Sequence, residues 1–245
     1  MKNKEEMCMS RIEKYKQYFT KEYMMGPNSL RLLDEILQDN PKATKRGNVL
    51  DLGCGAALSS LLLANETDAD KVYAYDLWVS PTDNWKRICE NKLEEKIIPI
   101  QGDALHMPFA EEFFDAIVSI DTYHYFGCEE KVFAEKILPF LKKGGYALIV
   151  VPGLRRKPEG MMKVLMDEWA ADEVSMFQTK EWWKAHIAQA CEKQIDVRVY
   201  ESADFDLVWQ EWIDSGHEYG IRDAEFLEKG LKEILNFVML VIKKK

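Results

Sequence analysis

The feature that most constrains the fold is a strand-like apolar run that passes directly into a glycine turn. Val49 to Leu52 hold three aliphatic side chains and one carboxylate, and Gly53 and Gly55 follow at once. Glycine lets the backbone approach a ligand closely, because no Cβ stands in the way. A helical segment is predicted for Ala57 to Ala64, directly after the turn. This order of strand, glycine turn and helix opens a βαβ unit and indicates a ligand at the turn.

Short apolar runs alternate with helical segments over the following hundred residues or so, which predicts an α/β fold with a mostly parallel sheet. The predicted strands are Val49 to Leu52, Lys71 to Tyr75, Lys96 to Gln101, Phe114 to Ile120, Tyr146 to Val151, Ile195 to Tyr200 and Leu235 to Ile242. The predicted helices are Ala57 to Ala64, Asp83 to Leu93, Glu129 to Leu141 and Lys180 to Glu192. Lys142 to Gly145 would end the third helix as a cationic last turn and glycine cap. Pro99 places the third strand at a sheet edge, because proline has no N–H for a ladder.

The length and composition predict one elaborated domain. The chain has 245 residues, 47% of them hydrophobic, which is enough to bury one sizeable core. We expect a single domain over residues 1–245: a helical lid at 1–45, a ligand-binding core at 46–153, and cap insertions with the last two strands at 154–245. The first residues contain no apolar signal segment, and no apolar run approaches the ~20 residues that span a bilayer. These features predict a cytoplasmic protein without a membrane partner.

Charge and cysteine usage exclude several classes of function. The formal net charge of −9 opposes a phosphate backbone, so no nucleic-acid partner is expected. The five cysteines form no Cys-x-x-Cys pair, and the histidines do not have the spacing of metal ligands. We therefore predict no metal site. Nothing in the sequence fixes an oligomeric state.

Three carboxylates stand at the ends of the first three predicted strands. Asp51 precedes the glycine turn and suits a ligand with an ammonium group, while Asp76 can accept hydrogen bonds from both hydroxyls of a ribose. Asp103 would lie near an adenine amine, with Ala104 beside the ring. The carboxyl ends of parallel strands share one edge, so these acids would surround one ligand. A dinucleotide-binding turn needs a third glycine at the position that Leu58 occupies.

In these segments the sequence resembles the class I S-adenosylmethionine methyltransferases, and within them the small-molecule branch that includes the ubiquinone and menaquinone C-methyltransferases. The resemblance covers residues 48–153. It rests on Asp51-Leu52-Gly53-Cys54-Gly55, Asp76, Gly102-Asp103-Ala104, Met107-Pro108-Phe109, Phe114-Asp115-Ala116-Ile117-Val118 and Leu141-Lys142-Lys143-Gly144-Gly145. One departure is Ala57, where many family members have a third glycine.

The resemblance implies a Rossmann-like seven-stranded sheet in the order 3-2-1-4-5-7-6 with helical cap insertions. It also implies S-adenosyl-L-methionine as cofactor and S-adenosyl-L-homocysteine as product. The cofactor contacts that it implies come from Asp51, Gly53, Cys54, Gly55, Asp76, Leu77, Asp103, Ala104 and Ile120.

Methyl transfer from a sulfonium is an in-line displacement that mainly requires positioning, and a base is needed only when the nucleophile carries a proton. His124, after the fourth strand, is the candidate base because its ordinary pKa is near neutrality. Tyr23, in an aromatic N-terminal segment, is the candidate to reach the methyl group. Packing under a roof explains either residue as well. The segment after the fourth strand lacks the Asp/Asn-Pro-Pro-Tyr/Phe motif of enzymes that methylate amino groups of nucleic-acid bases.

The acceptor is expected to be a small molecule. Residues 201–230 contain nine acids and two bases with five interleaved aromatic residues, which suits a cationic or amine-bearing substrate. A helix that buries Trp209 and Trp212 explains the same pattern. Three functions remain open: methyl transfer to a small molecule, S-adenosylmethionine binding by a regulator without turnover, and an NAD(P)-dependent Rossmann enzyme.

Overall fold

The structure is a computed structural model that describes residues 11–44 and 46–245. The predicted lid therefore lies partly outside the described residues, at 1–10 and at Lys45. The strands are β1 (Asn48–Leu52), β2 (Lys71–Asp76), β3 (Ile97–Gln101), β4 (Phe114–Ile120), β5 (Leu141–Leu154), β6 (Gln178–Thr179), β7 (Ile195–Glu201) and β8 (Leu235–Lys244). The α-helices are α1 (Ser29–Asp39), α2 (Leu58–Glu66), α3 (Pro81–Glu90), α4 (His124–Gly127), α5 (Met161–Ala170), α6 (Lys180–Ala188), α7 (Phe205–Asp214) and α8 (Glu218–Glu228).

The sheet has the predicted order. Its main path is β3-β2-β1-β4-β5-β8-β7, and the two-residue β6 adds a parallel pairing to the end of β5. Neighbours among the first five strands are parallel, whereas β8 is antiparallel to both β5 and β7. Pro99 lies on β3, the edge strand, opposite Ala74. The Rossmann-like fold and the edge position of Pro99 are thus confirmed.

The predicted helix from Glu129 to Leu141 is wrong. A single π-helical turn at Phe133–Ile137 leads into a 3₁₀ turn at Leu138–Phe140, and β5 already begins at Leu141. Pro139 explains the difference, because its ring and missing N–H break α-helical hydrogen bonding. Lys142 to Gly145 therefore lie in the first part of β5 and form no helix cap.

The sheet is buried on both faces, and alternate residues of a strand enter different clusters. On β1, Val49 packs with residues of α1 and α2, while Leu50 packs on the other face with Trp183 of α6. This three-layer arrangement brings the carboxyl ends of the parallel strands to one edge. In the described part of the chain, no helix is both long enough and apolar enough to cross a bilayer.

The two cap insertions, residues 153–178 and 201–230, pack against each other through one carboxylate. Trp169 of α5 donates its Nε1–H to Asp223 Oδ1 at 2.7 Å, and Trp212 of α7 donates to Asp223 Oδ2 at 3.0 Å. Trp209 and Trp212 are buried. The interleaved acids and aromatic residues of this region thus form a packed cap, in which Asp223 of α8 accepts the indole N–H groups of Trp169 and Trp212.

Candidate functional site

A cavity of about 370 Å³ opens at the sheet edge where β1, β2, β3 and β4 end. Its size is within the range of small-molecule sites. All predicted cofactor residues except Asp51 line it: Gly53, Cys54, Gly55, Asp76, Leu77, Asp103, Ala104 and Ile120. Tyr23 also lines it, as part of an N-terminal wall that runs from Phe19 to Leu30 with gaps. The structure therefore brings these residues together, as the strand order predicts.

The glycine turn is held by two neighbouring strands. The N–H groups of Gly53 and Cys54 donate to the Tyr75 carbonyl at 2.8 and 3.2 Å, and Thr122 Oγ1 donates to the Gly53 carbonyl at 3.0 Å. Gly53 has a φ of +76°, and a Cβ added there would lie 2.1 Å from Thr122 Cγ2. Both the backbone angle and the packing therefore require glycine. Ala57 has a φ of +59°, in the left-handed region that favours glycine.

Asp76 joins the glycine turn to the loop after β2. Its Oδ2 accepts the Gly55 N–H at 2.8 Å, and its Oδ1 accepts the N–H groups of Trp78 and Val79 at 2.8 and 2.9 Å. A carboxylate has about four acceptor sites, so one remains for a ligand hydroxyl. Asp76 can therefore bind a ligand and fix the loop at the same time.

Asp103 is more exposed and belongs to a short turn after β3. Its Oδ1 accepts the Leu105 N–H at 2.8 Å, and His106 Nδ1 lies 2.8 Å from its Oδ2. These contacts, the backbone hydrogen bond first, hold the pKa of Asp103 below its ordinary value. Tyr75 donates its hydroxyl to the Asp103 carbonyl at 3.1 Å, which fixes the turn to β2.

Asp51 is the predicted cofactor residue that does not line the cavity. It is buried under the glycine turn, where Ser59 and Ser60 donate their hydroxyls to its Oδ2 at 2.7 and 2.5 Å. Burial raises the pKa of Asp51 to about 6, although both hydroxyl hydrogen bonds oppose the shift. Sequence reasoning placed Asp51 at the ligand because it precedes the turn, but the two serines of α2 turn its carboxylate inward.

We expect Asp51 to make the protein less stable as the pH rises. Its folded pKa of about 6 is above its ordinary value of 3.8, so the folded state holds the proton more tightly. This contribution is complete below the unfolded pKa and is lost as the pH rises through the folded pKa. At pH 7.5, Asp51→Asn should therefore unfold at a higher urea concentration than wild type. Its free energy of unfolding should be larger by on the order of 1–3 kcal/mol. The advantage should shrink near pH 4; an equal difference at both pH values would contradict the assignment.

His124, the predicted base, is buried in α4 and is not among the residues that line the cavity. Its Nδ1 has no hydrogen-bond partner in the described part of the chain, and burial lowers its pKa to about 3. His124 is therefore neutral at physiological pH, and its ring packs against Tyr125 at a centroid distance of 4.1 Å. This geometry favours the packing alternative for His124.

Asp121 is the cavity residue that sequence reasoning missed. It directly follows β4, has a φ of +56°, and donates its N–H to the Val150 carbonyl at 2.8 Å. Asp121 lines the cavity, and burial raises its pKa to about 7. The rule that selected Asp76, an acid at the end of a parallel strand, would also have found Asp121.

The cap insertions do not reach the cavity. No residue of the insertions at 153–178 and 201–230 lines the cavity, and the wall comes from the N-terminal segment instead. The cap supports this wall: Asn28 Nδ2 donates to Glu211 Oε2 at 2.7 Å, and Arg31 Nε donates to the same oxygen at 2.8 Å. The cap thus contacts the N-terminal segment and does not contact the cavity directly. Within the described ranges, His, Cys, Asp and Glu side chains form no group of three that could hold a metal ion.

Part of the chain is similar in sequence to curated methyltransferases. A tRNA (carboxymethyluridine(34)-5-O)-methyltransferase of Xenopus tropicalis is 32% identical over 127 residues, which are 51% of this chain and 18% of that protein. Ajmaline N-methyltransferase of Rauvolfia serpentina is 28% identical over 137 residues, or 52% of this chain and 44% of that protein. The matches thus span less than half the length of either relative.

Solved structures share the fold over nearly the whole chain. Phosphoethanolamine N-methyltransferase 2 of Haemonchus contortus, in complex with S-adenosyl-L-methionine, superposes with a TM-score of 0.73 at 18% identity. The superposition covers 95% of this chain and 56% of that one. Residues 50–149 match the family described as "Methyltransferase domain", and this range contains most of β1, all of β2 to β4, the glycine turn and Asp121. Over these residues the chain is similar to that family, and its Rossmann-like fold is the one that the solved methyltransferase structures share.

Proposed function

We propose that the chain transfers the methyl group of S-adenosyl-L-methionine to a small-molecule acceptor by in-line displacement. The observation that carries this proposal is the order of groups along the cavity. Asp103 follows β3, Asp76 follows β2, the glycine turn follows β1 and Asp121 follows β4, which is their order across the sheet. The cofactor is elongated, so its adenine, ribose and methionine would meet the first three of these groups in turn, with the methyl group on the side of Asp121.

The residues fit such a ligand. In the proposal, Asp103 and Ala104 contact the adenine, Asp76 and Leu77 contact the ribose, and the backbone at Gly53 receives the methionine part. Cys54, Gly55 and Ile120 complete the contacts. Asp51 acts as a positioning residue, because Ser59, which it holds, lines the cavity. The cofactor supplies a methyl group on a sulfonium, while the chain's own residues orient the acceptor and exclude water.

The acceptor class separates this proposal from its alternatives. A nucleic-acid acceptor is the activity named for the Xenopus tropicalis relative. The net charge of −9 disfavours that acceptor here, and no lysine or arginine lines the cavity within the described residues. An NAD(P)-dependent enzyme would need a third glycine in the turn that binds pyrophosphate, whereas Leu58 occupies that position here.

Labelled S-adenosylmethionine tests the proposal directly. The protein would be incubated with a metabolite extract and, separately, with a tRNA fraction, and the labelled product would be identified by mass. We expect label in the metabolite fraction. Label in tRNA alone, or no S-adenosylhomocysteine binding in calorimetry while NADH binds, would overturn the proposal. Cofactor binding with no labelled product from either fraction would favour the regulator.

Cofactor should also order the N-terminal wall. The N-terminal wall lines the cavity as a segment separate from the sheet. Segments that cover a functional site are commonly among the less stable parts of a fold. We expect hydrogen exchange over residues 19–25 to slow when S-adenosylhomocysteine binds, and to slow more than exchange in α3. The insertions at 153–178 and 201–230 should respond less, because none of their residues lines the cavity. Equal rates with and without ligand would show that this wall is rigidly packed.

A further inference from the structure

Asp121 stands at the opposite end of the cavity from Asp103. The strands that precede them, β4 and β3, are separated in the sheet by β1 and β2. Neighbouring strands lie ~4.8 Å apart, so the two strand ends are about 14 Å from each other. If adenine lies at Asp103, as proposed above, Asp121 is on the side where the methyl group is transferred.

The charge of Asp121 is not balanced by the protein. Its carboxylate accepts no hydrogen bond and forms no ion pair within the residues that the structure describes, whereas Asp76 accepts three hydrogen bonds. Lysine, arginine and histidine are absent from the described cavity lining. A carboxylate shielded from water is costly unless it is paired or protonated. Asp121 is half-buried in the cavity wall and is therefore suited to pair with a cation that enters with a ligand.

Aromatic rings line the same cavity, and Tyr125 is close enough to Asp121 to be affected by its charge. Phe19, Tyr23, Tyr125 and Phe126 line it, and Trp78 packs edge-on against Tyr125 at a centroid distance of 5.6 Å. Tyr125 stays a neutral phenol at physiological pH, because burial and, to a lesser extent, the Asp121 charge raise its pKa to about 12. Ring faces and a carboxylate attract the same group, a weakly hydrated ammonium ion.

The N-terminal wall closes over the same carboxylate. A methyl group added at Gly26 would lie 2.8 Å from Asp121 Oδ2, so the wall approaches Asp121 at the one residue without a side chain. The left-handed φ of Asp121 turns its side chain toward this gap. Strained backbone of this kind is held at functional positions by the surrounding structure.

From this arrangement we infer that Asp121 and the rings of Tyr23, Tyr125 and Phe126 form a binding site for an ammonium group, and that the methyl acceptor is an amine. The inference rests on the proposed function and names its substrate class.

The proposed methyl transfer needs only the amine, the cofactor and the Asp121 carboxylate. A protonated amine gives one proton to the Asp121 carboxylate, which frees its nitrogen lone pair. The lone pair forms the N–C bond, the S–C bond breaks, and its electron pair stays on sulfur in neutral S-adenosylhomocysteine. The product is a methylated ammonium ion, and Asp121 releases the proton to solvent. A carboxyl group with a pKa of about 7 can both take and release that proton near neutrality.

A pair of probes that differ only in charge tests the ammonium site. Choline and 3,3-dimethylbutan-1-ol have nearly the same shape, but only choline is a cation. Each would be titrated by calorimetry into protein saturated with S-adenosylhomocysteine. We expect choline to bind at least about tenfold more tightly, because only its cation interacts with the carboxylate and the rings. Similar affinity for the two probes, or no choline binding, would overturn the inference.

The variant Asp121→Asn keeps the fold, because asparagine also tolerates left-handed φ. It should lose the preference for choline and keep its S-adenosylhomocysteine affinity within about twofold. Asp167→Asn changes the net charge equally on an exposed side chain that pairs with Lys163, and it should keep the preference. If Asp121→Asn instead weakens S-adenosylhomocysteine, Asp121 binds the cofactor and the inference is wrong. If wild type binds no S-adenosylhomocysteine at all, the proposed function itself has failed.

Discussion

Replacing Gly53 with valine is expected to reduce S-adenosylhomocysteine affinity at least about 100-fold, or roughly 3 kcal/mol. A Cβ at this position would lie 2.1 Å from Thr122 Cγ2 and 2.6 Å from Thr122 Oγ1. The hydroxyl of Thr122 holds the Gly53 carbonyl, so the turn cannot move away without losing that hydrogen bond. The positive φ adds strain, because a β-branched residue is disfavoured in the left-handed region. Isothermal calorimetry on the folded variant measures the loss.

Gly144→Val is the matched control for this experiment. Gly144 has the same φ of +76°, but nothing lies within 4 Å of the added Cβ, and it is not in the described cavity lining. It should lower thermal stability and leave the affinity within about twofold. If the two variants weaken binding equally, the effect of Gly53→Val comes from general strain and the cofactor assignment of the turn is contradicted.

Asp76→Ala is expected to cost about 1.5 to 3 kcal/mol of S-adenosylhomocysteine binding, the range for hydrogen bonds to charged groups, or about 10- to 150-fold in Kd. The loss has two sources. One ribose hydroxyl loses its proposed acceptor, and the N–H groups of Gly55, Trp78 and Val79 lose theirs. The second source predicts that the empty variant is also less stable than wild type in urea.

Asp76→Asn separates these two sources. The amide oxygen can still accept a hydrogen bond, so we expect an intermediate affinity and an intermediate stability. Asp70→Ala serves as the control, because Asp70 is an exposed acid just before β2 that pairs only loosely with Arg46, at 3.4 Å. Asp76→Ala binding within twofold of wild type would remove Asp76 from the site.

Whether a feature could be predicted from the sequence depends on how close together in the sequence the residues that produce it lie. The strands, the edge position of Pro99 and the acids at the ends of β2 and β3 were predictable, because periodicity, proline chemistry and strand ends depend on neighbouring residues. The strand order was what the resemblance to the methyltransferases implied. The helix predicted at Glu129 to Leu141 was wrong because Pro139 outweighed the apolar pattern around it. The cap aromatics were open to two interpretations, and their contacts with Asp223, far from the cavity lining, favour packing.

The sequence by itself determined the sheet, the glycine turn and the set of acids at its edge, because each follows from backbone preferences within a few residues. Only the tertiary structure decided which side chains line the cavity. Asp51 turns inward because two serines of α2 lie beneath it, and His124 is buried by the packing of α4. Asp121 reaches the cavity because its left-handed φ redirects the chain after β4, and the segment around Gly26, 95 residues away in sequence, leaves room for it.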